Sequence, residues 1–323
     1  MHVVVASHYR LPVTGYGGTE RVVVALVRGL AALGHRVTLL AGPGTRVAEA
    51  AVIEVPRTKL TDPAGDLPAL LPTGVDILHA HFPVRRRLAQ PFVQTLHGNL
   101  DAGEPVPPNT IFLSRDHALR HGQEAFVYNG LDPTDYEFRR AKADYDLFLG
   151  RLHGAKGYRW AIAGARRARR RLLVAGGWRP TLRPGLRFVG SVSGARKRDL
   201  LSGARCLWMP ALWDEPFGLT SIEALLSGTP VLATHRGALP EVITPEVGAL
   251  GDTLDELVTA AATIDTRDPA ACRARAERLF THVAMAESYV RMYRAVLDTG
   301  ALPPGITTTL GDPRRSDPPP PRS

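Results

Sequence analysis

Short apolar runs alternate with helix-like segments along most of the chain, and this alternation restricts the possible folds more than any other feature of the sequence. At the start, the apolar runs His2–Ala6 and Arg36–Ala41 flank the helix-like segment Thr19–Leu33. The runs are rich in Val and Leu along their whole length, as in strands that are buried on both faces. We therefore predict a parallel sheet covered on each side by helices, as in a Rossmann-like domain.

A turn-rich stretch from Asn129 to Pro133 interrupts the alternation, which then begins again. Further apolar runs predict strands at Leu147–Leu149, Leu172–Ala175, Leu186–Val189, Cys206–Met209 and Val231–Ala233. The chain of 323 residues is long enough for two domains of ordinary size. The sequence therefore predicts an α/β protein with two Rossmann-like domains, each built on a parallel sheet.

We place the domain boundary at the turn-rich stretch. The predicted first domain is residues 1–128 and the second is residues 129–281, followed by a C-terminal helix at 282–298 that returns toward the first domain. Residues 299–323 contain seven prolines and no hydrophobic periodicity, which predicts an extended or disordered tail.

The composition excludes several other classes of protein. Hydrophobic residues make up 44% and charged residues 22% of the chain, as in folded globular proteins. The apolar runs are far shorter than the roughly 18 residues of a membrane span, and the N-terminus lacks the pattern of an export signal. The spacing of Cys206 and Cys272 fits neither a disulfide framework nor a paired metal site, so we expect buried thiols. We predict a cytoplasmic protein without a membrane span, and peripheral contact with a membrane stays open.

The net charge of +9 is compatible with a polyanion as partner. However, the arginines are spread along the whole chain, and only four of the 40 basic residues are lysines. The densest run, Arg166–Arg171, is expected on the solvated face and at the end of a helix. Nucleic acid is therefore not an expected partner.

Two Rossmann-like domains bring the carboxyl ends of both sheets to one cleft, where ligands of open parallel sheets bind. The glycine-rich loop Thr14–Glu20 leads into a helix whose N-terminus we expect Thr19 to cap. Free amide hydrogens there suit a diphosphate, although a glycine turn before a helix is as often a matter of geometry alone. Arg151 at a strand end and Lys156 at a helix start are candidate cations for a phosphate leaving group, or else form a surface ion pair.

The segment Trp213–Ala224 carries the strongest local signal. Glu215 precedes a predicted helix and Glu223 lies inside it, eight positions later, which allows at most about 12 Å of axial rise. That separation is poor for two carboxylates acting on one bond, where about 5 to 9.5 Å is usual. It suits an extended ligand with a sugar near one glutamate and a ribose near the other. Phosphates between them would meet the backbone amides of Gly218, Leu219 and Thr220.

Metal ligation is not expected from the histidines and carboxylates of the sequence. His79 and His81 lie at a strand end without a nearby carboxylate to complete a metal site, so we expect a structural or acceptor-side role for them. The acidic stretches Asp214–Glu215 and Asp132–Asp135 do not have the alternate spacing of two carboxylates that is expected of metal-dependent transferases. His97 would be an ordinary strand-end histidine on sequence grounds alone.

Several stretches of the chain match motifs that occur together in one enzyme family. They are YGGTERV at Tyr16–Val22, TLHG at Thr95–Gly98, YNGLD at Tyr128–Asp132, FLGRLHGAKG at Phe148–Gly157, FVGSVSGARKRDLL at Phe188–Leu201 and WDEPFGLTSIEALLSGTPVLA at Trp213–Ala233. The chain therefore resembles retaining glycosyltransferases of family 4, which have the GT-B architecture. The resemblance extends over residues 1–298, and the nearest subgroup is typified by the avilamycin-biosynthesis glycosyltransferases of actinobacteria.

The resemblance implies that a nucleoside diphosphate sugar is the donor, with UDP favoured. Gly17 and Gly18 would lie along its diphosphate, and Arg151 and Lys156 would bind the diphosphate oxygens. The family often has an acidic residue just before the lysine, where this chain has Ala155. One polar contact of the usual site is therefore in question.

The same resemblance implies roles at the two ends of the donor. Glu223 would hold the ribose hydroxyls, Glu215 would hold the transferred sugar, and His97 would contact that sugar from the acceptor side. The base would meet the backbone of Gly190, Ser191 and Val192.

These implications predict a retaining glycosyltransferase that uses no metal and no tightly bound cofactor. Its acceptor would be a glycoside, an oligosaccharide or a natural product, and the subgroup suggests antibiotic biosynthesis of the orthosomycin type. One alternative is a nucleotide-sugar epimerase of the same architecture, which would change the sugar without an acceptor. Another is a non-enzymatic polyanion-binding protein, whose salt-sensitive binding would survive loss of Glu215, Glu223 and Lys156.

Overall fold

The computed structural model of the protein describes residues 1–13, 15, 17–62 and 66–303. The predictions for Thr14 and Tyr16 in the glycine loop, and for the Pro-rich tail from residue 304 onward, lie outside the described residues. Within these ranges the chain forms two six-stranded parallel sheets. No helix of the described ranges is long and apolar enough to cross a membrane.

The first sheet comes from the first part of the chain. Its strands are β1 (His2–Ala6), β2 (Arg36–Ala41), β3 (Ala51–Glu54), β4 (Ile77–Ala80), β5 (Phe92–Thr95) and β6 (Thr110–Ile111). The accompanying helices are α1 (Gly18–Ala32), α2 (Arg57–Leu60) and α3 (Arg115–Arg120). The strand order β3-β2-β1-β4-β5-β6 is the Rossmann order, and every residue of β1 is buried, which explains its unbroken apolar run.

The second sheet repeats this plan. Its strands are β7 (Asp146–Leu149), β8 (Leu172–Ala175), β9 (Leu186–Gly190), β10 (Leu207–Met209), β11 (Val231–Ala233) and β12 (Gly248–Leu250). Its helices are α4 (Tyr158–Arg167), α5 (Gly194–Gly203), α6 (Leu219–Leu226), α7 (Leu239–Val242), α8 (Leu254–Ala261) and α9 (Pro269–Leu279). The order β12-β11-β10-β7-β8-β9 is again that of a Rossmann fold, so the predicted α/β architecture is confirmed.

The last described helix, α10 (His282–Thr299), follows the second sheet in sequence but packs against α1 of the first. Its side chains Met285, Tyr289 and Tyr293 are buried in the core of the first sheet. The helix begins at the predicted residue 282 and ends one residue beyond the predicted 298. Strand β12 was not predicted, because three residues at a sheet edge give no readable pattern. Both cysteines are buried free thiols, as predicted.

The two sheets meet where the chain crosses between them twice. The Leu131 amide donates to the Phe280 carbonyl at 2.9 Å, and the His282 amide donates to the Leu131 carbonyl at 2.9 Å. Beside this crossing, the rings of Tyr128, Phe217 and Phe280 pack with centroids 5.6 to 6.0 Å apart. This apolar contact closes the floor of the cleft between the sheets.

A buried carboxylate joins the same two domains. Glu241 in α7 accepts hydrogen bonds from the Tyr128 hydroxyl at 2.8 Å and from the amides of Arg115 and Asp116 at 3.0 and 2.7 Å. Those amides form the first turn of α3, where a carboxylate is favoured by the helix dipole. The second domain thus caps a helix of the first.

Candidate active site

A cavity of about 400 Å³ lies between the domains, at the carboxyl ends of the central strands. We call it the first chamber. Its walls include the predicted residues Gly17, Gly18, His97, Arg151, Lys156, Glu215, Gly218, Leu219 and Thr220. The structure therefore brings together residues that are widely separated in sequence and come from both domains.

A second chamber of about 370 Å³ adjoins the first. Arg21, Leu149 and Thr220 line both chambers and so form the passage between them. The second chamber contains the predicted residues Glu223 and Val192. The predicted residues Gly190 and Ser191 line neither chamber, and the Gly190 carbonyl accepts a hydrogen bond from the Gly176 amide at 2.8 Å.

The N-termini of α1 and α6 lie side by side at the first chamber. Their N-cap residues are Gly17 and Gly218, and neither helix has a side-chain cap. The prediction that Thr19 caps α1 was wrong, because the helix begins one residue earlier and places Thr19 in its first turn. A Cβ atom on Gly18 would lie 4.0 Å from Leu219, so the two helix starts are close. Because the N-cap glycines carry no side chain, both helices can offer first-turn amide hydrogens to the chamber.

Two glycines fix the chain on the second-domain side of the chamber. Gly218 has φ +90°, and a Cβ there would lie 2.9 Å from the Leu239 side chain. Gly157 has φ +70°, and a Cβ there would lie 1.7 Å from the Pro210 carbonyl oxygen. This close approach of Gly157 to Pro210 sets the position of the neighbouring Lys156. Lys156 is the last residue of a short 3-10 turn, Gly154–Lys156, and α4 begins at Tyr158, so the prediction that Lys156 begins a helix was wrong by two residues.

Glu215 holds a cation in the first chamber. Its Oε2 accepts hydrogen bonds from Lys156 Nζ at 2.6 Å and from Trp213 Nε1 at 2.8 Å. Lys156 Nζ also lies 4.6 Å from the centre of the Trp213 ring. Glu215 precedes α6, as predicted, and it is buried while Lys156 keeps contact with solvent. The pair therefore lies where the buried wall meets the open cleft.

Glu223, inside α6 as predicted, has a more closed environment. Its Oε1 accepts hydrogen bonds from Arg21, Lys197 and the Tyr136 hydroxyl, the last at 2.8 Å. Burial alone would raise the pKa of Glu223, but the charges of Arg21 and Lys197 outweigh burial and lower this pKa to about 2. The carboxylate is therefore ionised at neutral pH. Its three donors share Oε1, so Oε2 keeps its acceptor capacity.

Three histidines stack from the core of the first domain to the chamber wall. His79 is buried and hydrogen-bonded to Tyr293 at 2.7 Å and to Thr95 at 2.8 Å, so it has a structural role. The rings of His79 and His81 stack at 4.3 Å, and those of His81 and His97 at 5.1 Å. His81 Nδ1 lies 2.8 Å from His97 Nε2. Burial lowers the pKa of His79 to about 3 and that of His97 to about 4, so these rings are neutral at pH 7.

Sequence reasoning missed several residues of the site. Arg21, Lys197 and Tyr136 surround Glu223, and Asn129 lines the first chamber with its buried Oδ1 unpaired within the described part of the chain. Arg21, Lys197 and Asn129 lie inside the matched motifs, which was the available signal. Among the described residues no group of three His, Cys, Asp or Glu side chains is arranged to hold a metal ion.

Two family models match the chain. The model described as Glycosyltransferase Family 4 matches residues 16–173, and the model described as Glycosyl transferases group 1 matches residues 144–282. Together these matches extend over both domains. An uncharacterized glycosyltransferase of Methanocaldococcus jannaschii is 29% identical over 154 residues, or 38% of this chain and 39% of that protein. The chain spans about two fifths of the length of the first curated relatives it matches.

Solved structures match over nearly the whole chain. AviGT4, a glycosyltransferase involved in avilamycin A biosynthesis, is 29% identical and has a TM-score of 0.75, over 93% of this chain and 98% of that one. HepE of Anabaena, in complex with UDP-glucose, has a TM-score of 0.66 over 91% of this chain and 100% of that one. Its identity of 17% limits that likeness to the fold.

Proposed function

The chain belongs to the family 4 glycosyltransferases of the GT-B fold, and from that premise we propose that it transfers a sugar from a nucleoside diphosphate donor to an acceptor hydroxyl. We propose further that the anomeric configuration is retained and that no metal or tightly bound cofactor takes part. The proposal rests above all on one observation. Two helix N-termini line the chamber that contains Glu215, and Arg21 and Thr220 of the same two helices form the passage to the chamber that contains Glu223.

The diphosphate belongs at this passage. The amides of α1 and α6 favour an anion there, as do the charges of Arg21, Arg151 and Lys156. The ribose and base extend into the second chamber, where Glu223 Oε2 accepts a ribose hydroxyl and Val192 lies near the base. The sugar occupies the first chamber beside Glu215 and His97. Arg151 and Lys156, which we call the cationic clamp, supply the charge neutralisation that a metal ion gives in other transferases.

Charge at the leaving group governs the transfer step that we propose. As the bond between the anomeric carbon and the phosphate oxygen breaks, negative charge grows on the diphosphate, and Arg151 and Lys156 stabilise it. The acceptor oxygen attacks from the same face, and its proton passes to a leaving-group oxygen. We assign Glu215 as a hydrogen-bond partner of the sugar: Lys156 and Trp213 donate to its Oε2, which leaves Oε1 to accept from a sugar hydroxyl, and the same-face attack needs no nucleophile from the protein.

The histidine stack determines what His97 offers to the sugar. His81 Nε2 is buried without a hydrogen-bond partner among the described residues. A proton on that nitrogen would leave a buried N–H unsatisfied, which is rarer than an unfilled acceptor. We therefore place the His81 proton on Nδ1, where it is donated to His97 Nε2 at 2.8 Å. His97 then carries its own proton on Nδ1, so it donates a hydrogen bond into the chamber and is not the base for the acceptor.

The likeness to AviGT4 favours a natural-product acceptor, such as an intermediate of an orthosomycin antibiotic, over a simple glycoside or oligosaccharide. UDP is the favoured nucleotide, and UDP-glucose, which the HepE structure holds, is the first donor to test. The family match disfavours the epimerase and the polyanion-binding alternatives. The cytoplasmic location expected from the sequence stays a prediction.

A thermal-shift panel of nucleoside diphosphates and their sugars tests the proposal without knowledge of the acceptor. A ligand of the folded state at 100 times its Kd adds about 2.7 kcal/mol of apparent stability. We expect UDP and UDP-sugars to raise the melting temperature in the presence of excess chelator, and Lys156→Ala to reduce that shift. Absence of any shift with all nucleotides would contradict the proposal. Restoration by magnesium or manganese would contradict metal independence.

A further inference from the structure

Apart from the two chambers, the second domain has another strongly charged cavity. It lies at the amino ends of the strands of the second sheet, whereas the active site lies at their carboxyl ends. It has a volume of about 400 Å³ and is lined by Asp144, Leu172 and Leu186, which lie at the amino ends of β7, β8 and β9. The first chamber instead contacts Leu149 and Gly150 at the carboxyl end of β7. Because the strands are parallel, the two cavities are on opposite edges of the sheet and cannot share one small ligand.

Arginine dominates the walls of this cavity, which we call the arginine pocket. The arginines that line it are Arg166, Arg169, Arg170, Arg171, Arg183 and Arg205. The acid among the described lining residues is Asp144. Apolar side chains form the rest of the wall: Ile162, Ala165, Leu172, Pro184 and Leu186. The pocket therefore combines a cationic wall with an apolar surface.

The carboxylates near the pocket do not satisfy its deepest arginines. Asp146 is fully buried and is shared by Arg205 at 3.2 Å and Arg170 at 3.6 Å. Arg170 also contacts Asp265, and Arg205 also contacts Asp144, but both of these carboxylates are largely in solvent. The Arg170 side chain is only 10% exposed, and its Nη1 has no hydrogen-bond acceptor among the described residues; Arg205 Nη2 is buried in the same state. Buried donors of this kind require an acceptor.

The backbone at the pocket is also unusual. Arg169 has φ +55°, in the left-handed region, and follows Ala168, the C-cap residue of α4. The amides of Arg169 and Arg170 bond back to the carbonyls of Arg166 and Ala165 at 3.0 and 2.8 Å, which closes the helix. Glycine is the favoured residue at such a position, because a Cβ is strained there. An arginine kept in a disfavoured conformation on the wall of a pocket indicates a use for its side chain.

The helix dipole explains part of this cluster. Cations in the last turn of α4 are favoured by the partial negative charge of the helix C-terminus, which accounts for Arg166. It does not account for Arg183 and Arg205, which come from other segments and line the same cavity. It also leaves the unsatisfied nitrogens of Arg170 and Arg205 unexplained.

We propose that the arginine pocket binds a small molecule with two or more phosphate groups. The phosphate oxygens would accept from the outer side chains of Arg166, Arg169 and Arg183, while Arg170 and Arg205, which are held by buried Asp146, add positive charge behind them. The carbon skeleton would contact the apolar wall. The volume of about 400 Å³ is within the range of small-molecule sites, about 300 to 1,000 Å³. A pocket of this volume is suited to a compact ligand, whereas a polymer would bind along an open groove.

Calorimetric titration of the full chain with inorganic tripolyphosphate tests this site at fixed ionic strength. The double variant Arg169→Gly/Arg183→Ala should weaken binding by about tenfold or more, as expected for the loss of charge-assisted hydrogen bonds. Arg170 and Arg205 are left in place, because each neutralises buried Asp146. Arg36→Ala, which removes the same charge from an exposed position on the first sheet, should change the affinity by less than about twofold.

Two further variants keep the test independent of the active site and of folding. Binding that survives Lys156→Ala and is lost in the double variant belongs to the arginine pocket, whether or not the cleft binds nucleotides. Arg169→Gly alone should raise the melting temperature of the unliganded protein, because glycine adopts the left-handed conformation without the strain that a Cβ causes. The same variant should lower the affinity for tripolyphosphate. Equal losses in the double variant and Arg36→Ala would overturn the proposal. So would binding of RNA or anionic vesicles that tripolyphosphate cannot displace.

Discussion

The two glutamates of the cleft occupy chambers of different character. Glu223 is 1% exposed, and its carboxylate is held by two cations and a tyrosine hydroxyl. Within the described residues Glu215 contacts a single cation, Lys156, whose side chain is 22% exposed at the open cleft. A carboxylate that is fixed and ionised suits a part of the ligand common to every donor, whereas a pair that can open suits the group that is transferred. We therefore expect Glu223 to affect mainly the binding of the nucleotide, and Glu215 to affect mainly turnover.

The largest difference should appear in stability. Glu223→Ala leaves Arg21 and Lys197 close together without a counter-charge, and removal of one partner from a buried ion pair costs about 3 to 5 kcal/mol. Glu215→Ala should cost about 1 kcal/mol or less, because Lys156 can turn toward solvent. Denaturant unfolding of the two variants measures the difference. Equal losses of unfolding free energy would show that the chambers are not distinct.

The next largest effect concerns turnover. Lys156→Ala should reduce turnover with saturating donor by about a hundredfold or more, because the lysine stabilises charge that develops on the leaving group. Lys59→Ala, at an exposed position of α2, removes the same charge away from the cleft and serves as the control. Turnover of Lys156→Ala at the level of the control would contradict the assignment of the clamp.

The contrast between the glutamates was only partly predictable from the sequence. The strands β1, β2, β8 and β11 have the predicted bounds, because doubly buried strands leave unbroken apolar runs. The position of Glu215 before α6 and of Glu223 within it was also predicted correctly. The hydrogen-bond partners of Glu223 were not predicted, because Arg21 is 202 positions away in the sequence and approaches from the other domain. Periodicity reports which face of an element is buried, but not which side chain arrives across a cleft.

A smaller effect tests the histidine stack in the first chamber. His81→Leu removes the donor to His97 Nε2 and should lower turnover by about tenfold, the size of one hydrogen bond to the sugar lost or misplaced. Affinity for UDP should stay unchanged, because the stack reaches the cleft through His97, which lines the chamber of Glu215. His81→Asn keeps an N–H near the Nδ1 position and should restore most of the activity. If Leu and Asn at this position behaved alike, the assigned tautomer would be wrong.

Acid should weaken the two chambers at different pH values. In the folded protein the pKa values of His79 and His97, about 3 and 4, lie below the value near 6.5 of an unfolded histidine. Their contribution to the free energy of unfolding is therefore complete above pH 6.5 and is lost as the pH falls toward 4. The pKa of Glu223 in the folded protein, about 2, lies below the value near 4.3 of an unfolded glutamate. The contribution of Glu223 to the free energy of unfolding is therefore lost only as the pH falls below 4.3. Melting temperatures between pH 7 and pH 4.5 should therefore fall less steeply in His97→Asn. The exposed control His235→Asn should keep the original slope.

The most direct test of the two-chamber account is calorimetric titration of UDP into Glu223→Gln and Glu215→Gln, beside turnover of the intact donor. Glutamine keeps an oxygen acceptor at each site while it removes the charge. We expect Glu223→Gln to weaken UDP binding by about tenfold, because the ribose is common to UDP and the donor. Glu215→Gln should leave UDP affinity within about twofold and lower turnover instead. Equal loss of UDP affinity in both variants, or loss in Glu215→Gln alone, would contradict the proposed orientation of the donor.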